Sequence, residues 1–234
     1  MKNRRLLTDL WTVLLIAAVS TCTTSDSNSG VIMPLKTGNY WTFVDSVFDT
    51  GGAFVLADTS TLNISGQKTI TYQSQSYSVF LWTWVDPHLA GFSWLAWYGD
   101  DGLYIFGGTS PKADYVLCKS HEVKYPVSVL DYWDAYSVSF STLDSAFRIR
   151  DTVTMTCISA NAQFATPVQN FTCYAFQFTT GITKSAIDPH AARYAKSSGG
   201  NTVSVTTLYY APDVGYVGLT DHESGILRYK KSLL

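Results

Sequence analysis

The chain has 234 residues, of which 46% are hydrophobic and 15% charged, and its formal net charge is −2. Charged residues fall well below the usual share of about 25%, which excludes intrinsic disorder and allows a large buried core. A mildly acidic chain without a basic run offers no face for nucleic acid and no polybasic stretch for anionic lipid.

The N-terminus reads as a secretory signal over residues 1–21. Lys2, Arg4 and Arg5 make a basic start, and Leu10 to Val19 is an apolar run broken only by Thr12. That run falls short of the ~20 apolar residues a spanning helix needs. A buried N-terminal helix or a retained membrane anchor are the alternatives. Val19-Ser20-Thr21-Cys22 then resembles a bacterial lipobox, with Thr21 where a smaller residue is usual. Cys22 is the expected lipid-attachment site, and acylation there would hold the protein on a membrane without a spanning helix. Residues 22–33 are assigned to the anchor site and a Ser/Thr-rich tether, and residues 34–234 to one domain.

From Val31 onward, short aromatic and β-branched runs alternate with turn residues. The expected strands begin with Asn39–Ser46, Ala53–Ile64, Thr69–Tyr72 and Ser76–Val85. Phe92–Tyr98 and Leu103–Phe106 flank Gly99-Asp100-Asp101-Gly102, the strongest hairpin signal in the chain. Tyr115–Lys119, Ala135–Phe140, Ile149–Ser159, Phe171–Thr180, Val203–Tyr210, Tyr216–Thr220 and Ile226–Lys230 follow. One helix is expected over Ala186–Lys196, where Asp188 could cap and Pro189 could open the first turn. The expected fold is all-β and mainly antiparallel: a single curled sheet or half-barrel of about 11–12 strands with one short helix. A β-sandwich is the alternative.

Three thiols remain if Cys22 is lipidated. Cys157 and Cys173 fall in neighbouring strands, and a hairpin symmetric about Ala165 would set them face to face as a disulfide. The other reading is two buried free thiols. Cys118 is expected in the core. No Cys-x-x-Cys spacing points to zinc, and no metal or other cofactor is expected.

No nucleophile elbow, phosphate loop or metalloprotease helix occurs, so no catalytic residue is assigned. Asp-Pro-His recurs at Asp86-Pro87-His88 and Asp188-Pro189-His190, where turn chemistry explains it more simply than a metal or acid/base site. His121-Glu122 and Asp221-His222-Glu223 read as solvated turn positions, because neighbours on a strand point to opposite faces. Asp100-Asp101 reads as a hairpin turn rather than a calcium site. Trp82, Trp84, Trp94 and Trp97 are the candidate ligand-binding residues, since large aromatics on a concave sheet can line an apolar or sugar-binding groove. The plainer reading makes them core.

Three segments carry a family resemblance: Pro34-Leu35-Lys36-Thr37-Gly38-Asn39-Tyr40-Trp41-Thr42-Phe43, Val168-Gln169-Asn170-Phe171-Thr172-Cys173-Tyr174 and Tyr209-Tyr210-Ala211-Pro212-Asp213-Val214-Gly215. They resemble bacterial envelope lipoproteins that share Pro-Leu-x-x-Gly-Asn-x-Trp-x-Tyr, Ala-Gly-Thr-Phe-x-Cys-Tyr and Tyr-Tyr-Ala-Pro-Gly-Val-Gly stretches. Asp213 stands where that pattern has Gly. The resemblance implies the half-barrel of lipoprotein carriers, curled around an apolar concavity, in a protein anchored in the bacterial envelope at the outer membrane or cell surface. It brings no catalytic residue. The expected function is a non-enzymatic envelope lipoprotein holding a lipid or other apolar ligand. A module presenting its sheet to an envelope protein or glycan is the second reading, and a hydrolase with a dispersed site the third.

Overall fold

A computed structural model describes residues 31–85, 93–109, 114–141, 147–186 and 202–234. The signal segment, Cys22, the expected helix beyond Ala186, His88 and His190 lie outside the described residues. The described chain is all-β. Twelve strands run in order: β1 (Tyr40–Phe48), β2 (Phe54–Tyr72), β3 (Gln75–Val85), β4 (Ser93–Gly99), β5 (Gly102–Thr109), β6 (Asp114–Lys124), β7 (Tyr132–Ser141), β8 (Phe147–Ala165), β9 (Asn170–Ala186), β10 (Thr202–Ala211), β11 (Gly215–Glu223) and β12 (Ile226–Leu233). Every pairing is antiparallel and the spatial order is β6-β5-β4-β3-β2-β1-β12-β11-β10-β9-β8-β7.

This order is a meander whose first and last strands pair, with β6 and β7 left as the two edges. Those edges meet across a seam. Ser120 Oγ donates to Ala135 O at 2.8 Å, and Trp133 Nε1 donates to His121 O at 2.8 Å. The sheet is therefore nearly closed into a barrel, and side-chain donors cover backbone acceptors that an open edge would expose.

The two faces follow the strand period of two. Inward positions are apolar: Trp41 and Phe43 on β1, Leu62 and Ile64 on β2, Met155 and Cys157 on β8, Phe176 on β9. Outward positions are rich in hydroxyls, such as Thr42, Thr59, Thr61, Thr83, Thr154 and Thr220. A membrane-spanning barrel has the reverse arrangement, with an apolar outer band. A second, smaller cluster (Ile70, Tyr77, Val79, Leu95, Phe106) packs on the outer side of β2–β5. Lys119 Nζ lies over it, 4.4 Å from the Trp97 ring centroid and 4.3 Å from that of Tyr104.

The chain before β1 closes one end of the barrel. Ile32 and Met33, which the sequence groups with the tether, are fully buried in the main cluster. Ile32 N donates to Tyr98 Oη at 2.7 Å, Asp213 N to Val31 O at 3.2 Å, and Trp41 Nε1 to Val214 O at 2.7 Å. The β10–β11 turn that receives this segment keeps its shape despite Asp213, which adopts φ +64°. Aspartate tolerates the left-handed region better than most residues. We call this the plugged end. The β1–β2 and β11–β12 hairpins lie at the opposite end.

Two expectations are corrected by the register. Cys157 and Cys173 are free thiols. Cys157 lies opposite Phe176, while Cys173 lies opposite Ala162. The hairpin turns at residues 166–169, not at Ala165, and two bulges between Cys157 and Ala162 shift the pairing further. Ala53–Ile64 and Thr69–Tyr72, read as separate strands, form one long β2. A bulge at Ser65, between the Ile64–Trp82 and Gly66–Leu81 pairs, lets Gly66 pass without ending the strand.

Candidate functional site

A cavity of about 500 Å³ occupies the barrel above the plug. Its wall takes Trp82 and Trp84 from β3, Trp94 from β4, Ile105 and Gly107 from β5, and Cys118, Ser120 and Glu122 from β6. Tyr136 (β7), Val153 (β8), Phe178 (β9), Leu208 and Tyr210 (β10) and Tyr216 (β11) complete it. This volume lies within the range of about 300–1,000 Å³ typical of small-molecule sites. Trp94 is 40% exposed and stands near the start of β4, at the end away from the plug.

Of the four candidate tryptophans, three come together and one does not. Trp82 pairs directly with Trp94 across β3 and β4, and Trp84 follows on the same face of β3. Trp97 has the opposite parity to Trp94 and joins the outer cluster, at 5.3 Å from Tyr77. The Trp82 indole N–H is buried without a hydrogen-bond partner among the described residues.

A belt of rings forms the floor. Phe43 lies 5.6 Å from Trp84 and 5.3 Å from Tyr216; Tyr216 lies 5.4 Å from Tyr210; Tyr210 lies 6.0 Å from Phe176; and Phe176 lies 5.9 Å from Trp133. These separations fall within the range of about 4.5–7 Å for favourable ring pairs, so the floor is a connected aromatic layer rather than isolated contacts.

The polar part of the wall is small and lies on β6. Ser120 spends its hydroxyl on the seam. Burial pushes the Cys118 thiol up, which keeps it protonated and weakly nucleophilic. Glu122 is the exception. Leu103 pairs with Val123 and Tyr104 pairs with His121, so Glu122 is the extra residue of a bulge. That bulge turns both Glu122 and Val123 inward. His121 points out and stacks on Tyr104 at 4.2 Å. The expectation that His121 and Glu122 diverge therefore fits the structure, while the solvated-turn reading of Glu122 does not.

Desolvation alone pushes the Glu122 carboxyl up to about 7. Tyr210 is raised by its own burial and further by the Glu122 charge, while Tyr216 is raised by its burial, then by Tyr210, Tyr229 and Asp45, and least by Glu122. The consequence for stability has a definite sign. Glu122 holds its proton to higher pH in the folded chain than in the unfolded one, whose ordinary value is 4.5. Stability is highest below that value, falls as pH rises towards 7, and then levels off. Glu122→Gln removes this penalty. The variant is expected to match the parent at about pH 4 and to exceed it by about 1–3 kcal/mol at about pH 8. Urea unfolding at the two pH values checks this; equal pH slopes for parent and variant would show that water reaches the carboxyl freely.

A second polar group lies inside the barrel next to the cavity wall. Lys231 Nζ is 2.6 Å from Asp45 Oδ1, donates to Ser60 Oγ at 2.6 Å, and sits 4.5 Å from the Trp84 ring centroid. Ser60 Oγ donates to Asp45 Oδ2 at 2.5 Å, and Tyr229 Oη donates to Asp45 Oδ1. The Lys231 and Asp45 side chains are only 11% and 14% exposed. Sequence reasoning did not single out any of these residues. The available signal was parity: Asp45 shares a face with Trp41 and Phe43, and Lys231 shares one with Leu233.

Among the described residues, no three His, Cys, Asp or Glu side chains gather where they could share a metal ion. Asp101 accepts the Tyr104 hydroxyl at 2.8 Å and belongs to the β4–β5 hairpin.

No family model matches the chain, and no curated protein does either. A solved structure from Parabacteroides distasonis ATCC 8503, described as a "putative lipoprotein", aligns over 87% of this chain and 97% of its own. The TM-score is 0.43 and the sequence identity 13%. A likeness this distant says nothing about what either protein binds.

Proposed function

We propose that this chain is an exported, non-enzymatic binding protein that carries an apolar small molecule in its barrel and is held on the bacterial envelope through Cys22. The cavity of about 500 Å³, walled by aromatic and aliphatic side chains, is the observation that carries the reading. Apolar wall surface of this extent is unfavourable while it faces water, and an apolar ligand removes it from water. The Val19-Ser20-Thr21-Cys22 run supports the anchor. The non-enzymatic part is supported by the side chains on the wall. The Ser120 hydroxyl is committed to the seam, and the Cys118 thiol is raised by burial.

Native mass spectrometry of the purified protein, followed by solvent extraction, tests the reading. A copurifying apolar molecule, or uptake of a neutral naphthylamine dye, is expected. Val153→Trp fills the cavity from β8 and is expected to weaken dye binding at least tenfold while leaving the melting temperature unchanged or higher. Wild-type protein that takes up neither lipid nor dye would overturn the proposal and favour a module that works through its outer surface.

A further inference from the structure

We propose that the cavity is built for an amphiphile with a cationic head, an alkyl-ammonium class of ligand whose nitrogen sits between Glu122 and the Trp84–Tyr216–Tyr210 arc. This rests on the reading of the cavity as a ligand site and specifies which ligand it takes. The first observation is the charge on the wall. The bulge in β6 puts one carboxyl into an aromatic chamber, and among the described residues no Lys, Arg or His lines it. A carboxyl without a counter-charge in such a space favours a cation over a neutral head, and a neutral head over an anion. The second is the ring geometry. Trp84 and Tyr216 meet edge to face at 6.4 Å and 88°, and Tyr210 continues the arc at 5.4 Å. Rings set at steep angles to one another around a cavity can offer a face to a cation.

The third observation is that the same barrel already contains a filled example of this arrangement. Lys231 Nζ is held between the Asp45 carboxylate and the rings of Trp84, at 4.5 Å, and Phe43, at 5.5 Å. One carboxylate, two rings and one cation make a satisfied unit there. Glu122 lines the same cavity as Tyr210 and Tyr216, so a carboxylate and rings are again present, and the cation is what a ligand would bring. Asp45 neutralises Lys231, so the shared Trp84 ring does not present a net positive charge to an incoming ammonium.

The test uses three probes with one octyl tail: octyltrimethylammonium, octanol and octanoate. Each is titrated into the full exported chain at about pH 8, with binding read from tryptophan fluorescence and calorimetry. The cation is expected to bind at least tenfold more tightly than octanol, and octanoate more weakly than both. Glu122→Gln is expected to remove the preference for the cation over octanol. Tyr216→Leu keeps the carboxyl and is expected to lose about half of the preference on a logarithmic scale. Octanol binding equal to or tighter than the cation overturns this inference while leaving the apolar carrier intact. Failure of all three probes removes both. A cation preference that survives in Glu122→Gln overturns the role given to that carboxyl.

Discussion

Lys231→Ala is expected to destabilise the barrel by about 3–5 kcal/mol, read as a fall in the urea midpoint with an unchanged slope. The cause is the charge left behind. Asp45 is 14% exposed and receives Lys231, Ser60 and Tyr229 together, so removing the cation strands a carboxylate inside the sheet. The loss has a second part, because Lys231 also covers the faces of Trp84 and Phe43. A double variant separates the two. Lys231→Met with Asp45→Asn removes both charges at nearly constant volume and is expected to recover most of the stability. If the single variant costs less than about 1 kcal/mol, water reaches this pair and it behaves as a surface contact.

The second large effect is expected at Gly102, the last residue of the β4–β5 turn. Its φ is +135°, and a methyl group added there would meet Val123 O at 2.0 Å and the Lys124 Cα at 3.0 Å. Both obstacles are backbone, so neither can rotate away. Gly102→Ala must therefore push β6 off β5, next to the bulge that aims Glu122. A loss of about 3 kcal/mol or more is expected from strain and lost pairing together. Gly225→Ala is the control. Its φ is also positive, at +81°, but a methyl group there meets nothing within 4 Å. It is expected to cost about 1 kcal/mol, from backbone strain alone. Equal melting temperatures for the two variants would show that β6 can yield.

The architecture was legible in the sequence because period-two alternation and turn residues are local signals. Gly99-Asp100-Asp101-Gly102 announces its hairpin directly, and Gly99 does pair with Gly102. Closure was not legible, since the pairing of β1 with β12 joins segments about as far apart as the chain allows. Bulges were the main source of error. Each one shifts the parity of everything beyond it. The bulges between Cys157 and Ala162 separated two cysteines expected to bond, and the one at Glu122 moved a carboxyl from the outside to the cavity. Trp82 and Trp84 were placed together by simple parity on an unbroken stretch of β3. Ile32 and Met33 were misread because their neighbours are Ser, Asn and Gly, and the tether seemed to continue through them.

The plug at Ile32 and Met33 has a mechanical meaning if Cys22 is acylated. A leash runs from the bilayer straight into the sealed base, and the few residues between Cys22 and Val31 can span no more than about 30 Å. If the barrel also holds the proposed apolar ligand, that ligand would leave on the far side, into water or onto another protein, rather than drop back into the lipid around the anchor. A pull on the leash would be felt first beneath the ring layer, where Met33 meets the β10–β11 turn at Gly215.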